Sequence, residues 1–299
     1  MTEIEILRHN PLIDPSLHVW GWEIALYLFL GGIAAGVMIL SGAATSRQSR
    51  AARLLIFAAP LALSLGMLAL FIDLANPLHV FRFYTAFRIT SPMSWGAWIL
   101  LLIYPATILH GMAQFELRGR LAEIAAFARR HELILRRLNV TLGIALGAYT
   151  GILLGTLTAR AAWSSLFLAP LFLASGVSAG AAIAMLLPIS EADRDSFRRW
   201  DLIAMAAEVV VLAFFFLDLI SAGGARGRAA ASLFLGGPYT AVFWSLVVIA
   251  GLALPGVLEV FEARRRIHVV LAPALVLIGG LSLRWIFVLA GQAALRGVQ

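Results

Sequence analysis

The sequence predicts an all-α integral membrane protein, an eight-transmembrane-helix bundle with both termini on the periplasmic side. Three observations carry that expectation. The 299 residues are 61% hydrophobic and only 13% charged, with a mean hydropathy of +0.91, outside the range of water-soluble domains. Eight apolar runs are each long enough to cross a hydrocarbon core of about 30 Å, which takes roughly 20 helical residues. The basic residues are all arginine and alternate in density between successive connections.

The eight spans fall near 20–43, 54–74, 95–112, 139–159, 164–187, 202–221, 239–258 and 269–290. Counting arginines between them gives Arg47, Arg50 and Arg53, then six from Arg118 to Arg137, then Arg194, Arg198 and Arg199, and finally Arg264, Arg265 and Arg266. These are fifteen on one side, against seven on the other, Arg8, Arg82, Arg88, Arg160, Arg226, Arg228 and Arg296. The positive-inside rule makes the fifteen cytoplasmic. Residues 1–299 thus read as one membrane domain of the cell inner (cytoplasmic) membrane, with residues 1–19 as a periplasmic tail and 113–138 as a cytoplasmic connection. The tail is too polar for a signal-peptide core, so the first span reads as an uncleaved anchor. Within 113–138, Leu121, Ile124 and Ala128 at helical spacing among arginines predict a short helix on the membrane surface. The net charge of +7 is accounted for by topology and anionic-lipid contact, not by nucleic-acid binding.

The first span opens with Trp20 and Trp22, placed as interfacial aromatics. Glu23 and Tyr27 share one helical face, and Gly32 and Gly36 form a small-xxx-small pair for close helix approach. Span 2 ends on Asp73, followed by Asn76, Pro77 and His79. The stretch from Asp73 to Trp98 is dense in polar, aromatic and proline residues, with Arg82 and Arg88 inside it. Span 4 carries Gly143, Gly147, Gly151 and Gly155, a packing stripe, with Tyr149 pointing elsewhere. Span 6 holds Glu208 in the inner half and Asp218 near the outer end. Span 7 has few polar features before Pro255 and Glu259. Span 8 buries Arg284, which must snorkel or pair with an acid.

By depth, Glu23, Tyr27, Asp73, Asp218 and Arg284 are expected in the outer half, with Tyr149 near the middle. Such a set could hydrogen-bond a quinone oxygen and exchange protons through its carboxylates. Each residue also has a plainer reading. Glu23 is then a hydrated interfacial acid, Tyr27 a belt residue, Asp73 a turn cap and Glu208 an internal hydrogen-bonding group. The six histidines lie outside or at the ends of spans, so no pair on facing helices is expected to ligate haem. With no cysteine, no iron–sulfur cluster is expected on this chain's own thiolates. Metal-ligand, phosphate-loop and nucleophile motifs are not seen.

The stretches WGWEIALYLFLGGIAAG, DLANPLHVFRF with SPMSWGAW, GAYTGILLGTLTARAAW with LFLASGVSAGAA, and LRWIFVLAGQ resemble successive signatures of the NrfD/polysulfide reductase membrane-subunit family. The resemblance runs in order over nearly the whole chain. It implies a haem-free, quinone-reactive membrane subunit that uses menaquinone or ubiquinone. It also implies a ferredoxin-like iron–sulfur partner and a molybdopterin catalytic subunit. On this resemblance the quinone pocket near the outer surface includes Tyr149 and the Glu23–Tyr27 face. Tyr27 stands where some members similar to polysulfide reductase have histidine, and a phenol near pKa 10 is a poorer proton acceptor. Asp73 and Asp218 resemble further acid positions. The expected roles are proton exchange for Glu23, Asp73 and Asp218, and quinone binding for Tyr27, Tyr149, Arg284 and His79. Arg284 would keep Asp218 or another acid ionised. A secondary transporter, a purely structural anchor, and a proton-translocating version with Glu208 as relay are the alternatives.

Overall fold

The structure, a computed structural model, describes residues 20–43, 50–74, 79, 81, 85, 91–157, 160–265 and 270–293. The tail 1–19 and Arg47, Asn76, Pro77, Arg82, Arg88, Arg266 and Arg296 lie outside the described residues. Among the described residues the secondary structure is entirely helical, and eight helices are long and apolar enough to cross a membrane. The protein is a multi-pass integral membrane protein. Only helices of this kind close all their backbone hydrogen bonds within one segment in hydrocarbon.

The helices are α1 (Trp22–Ala43), α2 (Arg50–Ile72), α3 (Pro92–Met112), the short α4 (Arg120–Arg130) and α5 (Glu132–Gly155). They continue with α6 (Leu168–Leu186), α7 (Glu191–Ser221), the short α8 (Gly224–Ser232) and α10 (Leu271–Ala293). Between α8 and α10, α9 is composite, with Thr240–Val242 α-helical, Phe243–Ala253 π-helical and Leu254–Arg265 α-helical. All but α4 and α8 are membrane spans.

The spans match the apolar runs in number and order, and two of them begin well before those runs. Helix α5 starts at Glu132 and α7 at Glu191, seven and eleven residues ahead of the sequence-based limits. Charged residues carry both helices beyond the apolar layer. The start of α7 is fixed by Ser190, whose Oγ accepts from the Asp193 amide at 3.2 Å and donates to the Asp193 carboxylate at 2.8 Å, an N-terminal cap. Helix α4 forms as expected, but Ala128 packs inward with Ala125, while Leu121, Ile124 and Phe127 are exposed.

Packing divides the spans into two groups, α1, α2, α3 and α5, and α6, α7, α9 and α10. Helix α1 joins them and has 78% of its apolar window buried. At the seam the small pairs of two helices face each other. A Cβ on Gly36 would overlap the Gly176 carbonyl oxygen, and one on Gly176 would stand 2.9 Å from the Gly32 carbonyl oxygen. A Cβ on Gly180 would be 2.6 Å from the Val37 nitrogen. The stripe on α5 reaches the same seam. Gly143 lies against Ala35 and Met38 of α1, and Gly151 against the α6 backbone at Ala169. In lipid, where apolar side chains gain little by leaving the solvent, this close van der Waals contact holds helices together.

Gly31, on the same helix, has open space where a Cβ would go. Gly36→Ala should therefore lower stability by about 1–3 kcal/mol through overpacking, while Gly31→Ala should be neutral or slightly stabilising. Unfolding titrations of the purified variants in mixed detergent check this contrast.

Candidate functional site

A cavity of about 520 Å³ lies within the first group of spans, near the face opposite the arginine-rich connections. Its walls come from α1 (Ile24, Tyr27, Leu28), α2 (Met67, Leu68, Phe71), α3 (Met93, Gly96, Leu100) and α5 (Tyr149, Leu153). Trp20 and Asp73 close the end nearest that face. The lining is apolar except for a few groups. Tyr27 projects from α1, Ser64 from α2 and Tyr149 from α5, and Asp73 stands just past α2.

Tyr149 is buried, 6% exposed, and its ring lies over Gly96, where any Cβ would overlap the phenol. Its hydroxyl makes no hydrogen bond among the described residues. A buried phenol normally finds a partner, so this one is available to a ligand. Ser64 is 3.0 Å from the Tyr104 hydroxyl and donates to the Pro60 carbonyl at 2.8 Å. Leu68, Phe71 and Met93 line the cavity and are also among the exposed large hydrophobic residues. The cavity thus meets the lipid-facing surface between α2 and α3. A volume of this size with few polar groups suits a lipid-soluble ring compound.

Three of the residues singled out in the sequence, Tyr27, Asp73 and Tyr149, line this cavity together, and four do not. Glu23 is half-buried at the start of α1, its carboxylate folded over Gly21. Asp218 is half-buried near the end of α7. His79 is exposed, with its ring 6.3 Å from that of Phe81. Arg284 is fully buried at the seam. Its Nη1 donates to Ser175 Oγ at 2.6 Å and to the Gly280 carbonyl at 3.0 Å, and its Nη2 to the Phe172 carbonyl at 3.1 Å. Gly32 leaves room for this guanidinium, since a Cβ there would sit 3.0 Å from Nη2. The acid whose charge acts on Arg284 is Glu208 and not Asp218, and Ser175, which accepts from Arg284, lies beside Glu208.

The end of the cavity at Trp20 is tied down by aromatic and amide contacts that sequence reasoning did not assemble. Trp20 stacks on Trp163, ring centroids 5.1 Å apart. Trp163 Nε1 donates to the Phe287 carbonyl at 2.8 Å, and its indole occupies the space left by Gly291. Arg160 covers the Trp163 ring at 4.9 Å and donates to the Gly291 carbonyl at 3.1 Å. Gln292 Nε2 donates to the Trp20 carbonyl at 2.9 Å. The sequence signal for these contacts was the conjunction of TARAAW and LAGQ. Their spacing along the polypeptide gave no hint that they meet.

Fold and site together define a polytopic membrane protein with a lipid-accessible apolar cavity and a buried arginine at its helical seam. The family described as Polysulphide reductase, NrfD matches residues 10–296, and the chain belongs to it. Members of this family are membrane subunits of respiratory oxidoreductases. The sequence is 29% identical to the C subunit of polysulfide reductase from Wolinella succinogenes, over 92% of this protein and 94% of that one. It is 30% identical to protein NrfD of Escherichia coli, over 92% and 95%. It is also 26% identical to a protein NrfD homologue of Haemophilus influenzae, over 94% and 97%.

Removing one partner of a buried charge pair leaves the other uncompensated. Arg284→Met should therefore cost about 3–5 kcal/mol, and adding Glu208→Gln should recover a large part of it. A double-mutant cycle on unfolding midpoints checks the coupling, and a simple sum of the two losses would contradict it.

Proposed function

We propose that this protein is the quinone-binding subunit of a respiratory oxidoreductase complex, holding menaquinone or ubiquinone in the cavity between α1, α2, α3 and α5. The supporting observation is the convergence of Tyr27, Asp73 and Tyr149 on one apolar, lipid-accessible cavity of about 520 Å³. A bound quinone supplies two-electron, two-proton redox chemistry. The protein supplies the setting for it.

In this reading Tyr149 donates a hydrogen bond to a ring oxygen, and Gly96 fixes where that hydroxyl stands. Tyr27 offers a second hydroxyl from the opposite wall. Asp73 is half-buried at the outer end, where a carboxylate can take a proton from the ring-oxygen side and release it to water. Leu28, Met67, Leu100 and Leu153 exclude water from the rest of the ring. The stacked Trp20 and Trp163 hold the outer wall against α10. Glu23, Asp218 and His79 lie off the cavity and serve as secondary proton-exchanging groups at the same face. Arg284 positions α1 against α6 and α10, and so sets the cavity's α1 wall from behind.

Electrons pass to a ferredoxin-like iron–sulfur partner, and the complex is completed by a molybdopterin catalytic subunit, as in the family the sequence resembles. Proton exchange occurs at the face opposite the arginine-rich connections, which the positive-inside rule makes periplasmic.

In the assembled complex, Tyr149→Phe should weaken quinone binding about tenfold, the loss of one hydrogen bond to a buried acceptor. Asp73→Asn should lower the turnover number about a hundredfold, the lower end of the range for general acid–base groups. Steady-state quinol turnover with a soluble quinol analogue separates the two effects. Unchanged kinetics in both variants would reject the assignment.

A further inference from the structure

A second polar system lies in the other group of spans, away from the cavity. Asp201 and Glu208 are seven residues apart on α7, on one helical face. Opposite them α6 presents Ser175 and Ser178, three apart and also on one face. Ser178 Oγ donates to Asp201 Oδ1 at 2.5 Å. Ser175 accepts from Arg284 and lies beside Glu208. From the third side α9 brings Glu259, whose carboxyl meets that of Asp201. Arg198 of α7 and Glu262 of α9 stand beside Glu259. Arg198 Nη2 is 3.8 Å from Glu262 and its Nη1 is 2.6 Å from Asp195, whose side chain is 60% exposed. Polar groups therefore run from water at the arginine-rich face, through Asp201 and Glu259, to Glu208 and Arg284 at mid-depth.

The Asp201–Glu259 contact lacks one component. Asp201 is 0% exposed and Glu259 1%. Both Glu259 oxygens and Asp201 Oδ2 meet no donor among the described residues. Asp201 already accepts the Ser178 hydroxyl through its other oxygen, and Arg198 is turned toward Asp195 and Glu262. Two ionised carboxylates accept and cannot donate, and burying them against each other unpaired is prohibitive. A single proton on one of them makes it the donor and the other the acceptor.

We propose that Asp201 and Glu259 form a proton-binding pair that loads from the arginine-rich face and exchanges its proton with Glu208 along the α6 serines. The ligand is one proton. As it moves inward, a proton from water at Asp195 and Arg198 replaces it, so the pair keeps one proton throughout. The charged neighbours of the pair are Arg198, Glu262 and Glu208. This pair is separate from the quinone cavity, so either reading can fail alone.

Infrared spectra of the purified complex at neutral pH, taken in H2O and D2O, test the pair. A protonated-carboxyl band that shifts in D2O should be lost in Glu259→Gln and in Asp201→Asn. It should persist in Glu262→Gln and in the shorter acid Glu259→Asp, which also covers the case of a Gln variant that fails to assemble. No such band in the unaltered protein, or a band untouched by both losses, overturns the proposal. So does a band that appears only when sodium is withdrawn, which would mark a cation site. Exchange is tested in vesicles of the same complex. Turnover-driven proton uptake at the arginine-rich face should be lost in Glu259→Gln while quinol oxidation continues, and undiminished uptake overturns the relay.

Discussion

The structure depends on one contact, the meeting of Gly32 and Gly36 of α1 with Gly176 and Gly180 of α6. Backbones that approach this closely leave no room for a Cβ on either side. Everything else at mid-depth is set by that approach. It brings α10 near enough for Arg284 to reach across to α6, where the Ser175 hydroxyl and the Phe172 carbonyl, with the Gly280 carbonyl of its own helix, satisfy its two terminal nitrogens. A buried guanidinium is costly in a membrane unless bonded donors and a nearby acid offset it, and here both terminal nitrogens are bonded while Nε meets no partner among the described residues. Here Glu208 is the acid, so the seam locks two halves of the molecule with both packing and charge.

The division into two halves separates two kinds of chemistry. The half built from α1, α2, α3 and α5 carries an apolar cavity that meets the lipid and contains two phenols, a serine and an acid. The half built from α6, α7, α9 and α10 carries buried carboxyls in a file that starts at water on the arginine-rich face. Helix α1 and Arg284 are the common boundary. The file ends against Gly32, one turn beyond the cavity residue Leu28. Apolar side chains occupy that turn, so the two systems are neighbours without a continuous polar link among the residues that line them.

The number and order of the spans were legible because length and hydropathy suffice to mark a helix that must cross hydrocarbon. Helix ends were not. Hydropathy sees the apolar window, whereas α7 continues through EADRDSFRRW, a polar run that looked like a connection. Counting depth from the apolar window therefore set Glu208 in the inner half and apart from Arg284, although its charge acts on Arg284. That run contains Arg198 and ends just before Asp201, and neither reads as part of a proton site until α9 supplies Glu259. The glycine pairs were legible as packing faces, but which pair meets which is a tertiary fact. Tyr27, Asp73 and Tyr149 were legible by residue type and depth. Gly96 and Ser64 were not, since a glycine or serine in an apolar helix usually reports only packing or a bond to the preceding turn.

The signature LRWIFVLAGQ illustrates how a motif becomes physical. Its arginine holds the seam, its glycine clears space for Trp163, and its glutamine ties down the carbonyl of Trp20. A stretch of one helix thus serves both the mid-depth lock and the outer wall of the cavity. The central claim is that the quinone sits between α1, α2, α3 and α5. Photolabelling of the complex in its native membrane with an azido-quinone, followed by peptide mapping, tests it most directly. The account predicts label on cavity-lining side chains such as Leu68, Met93 and Leu153, abolished by excess unlabelled quinone. Competable label confined to α6, α7, α9 or α10 would contradict it.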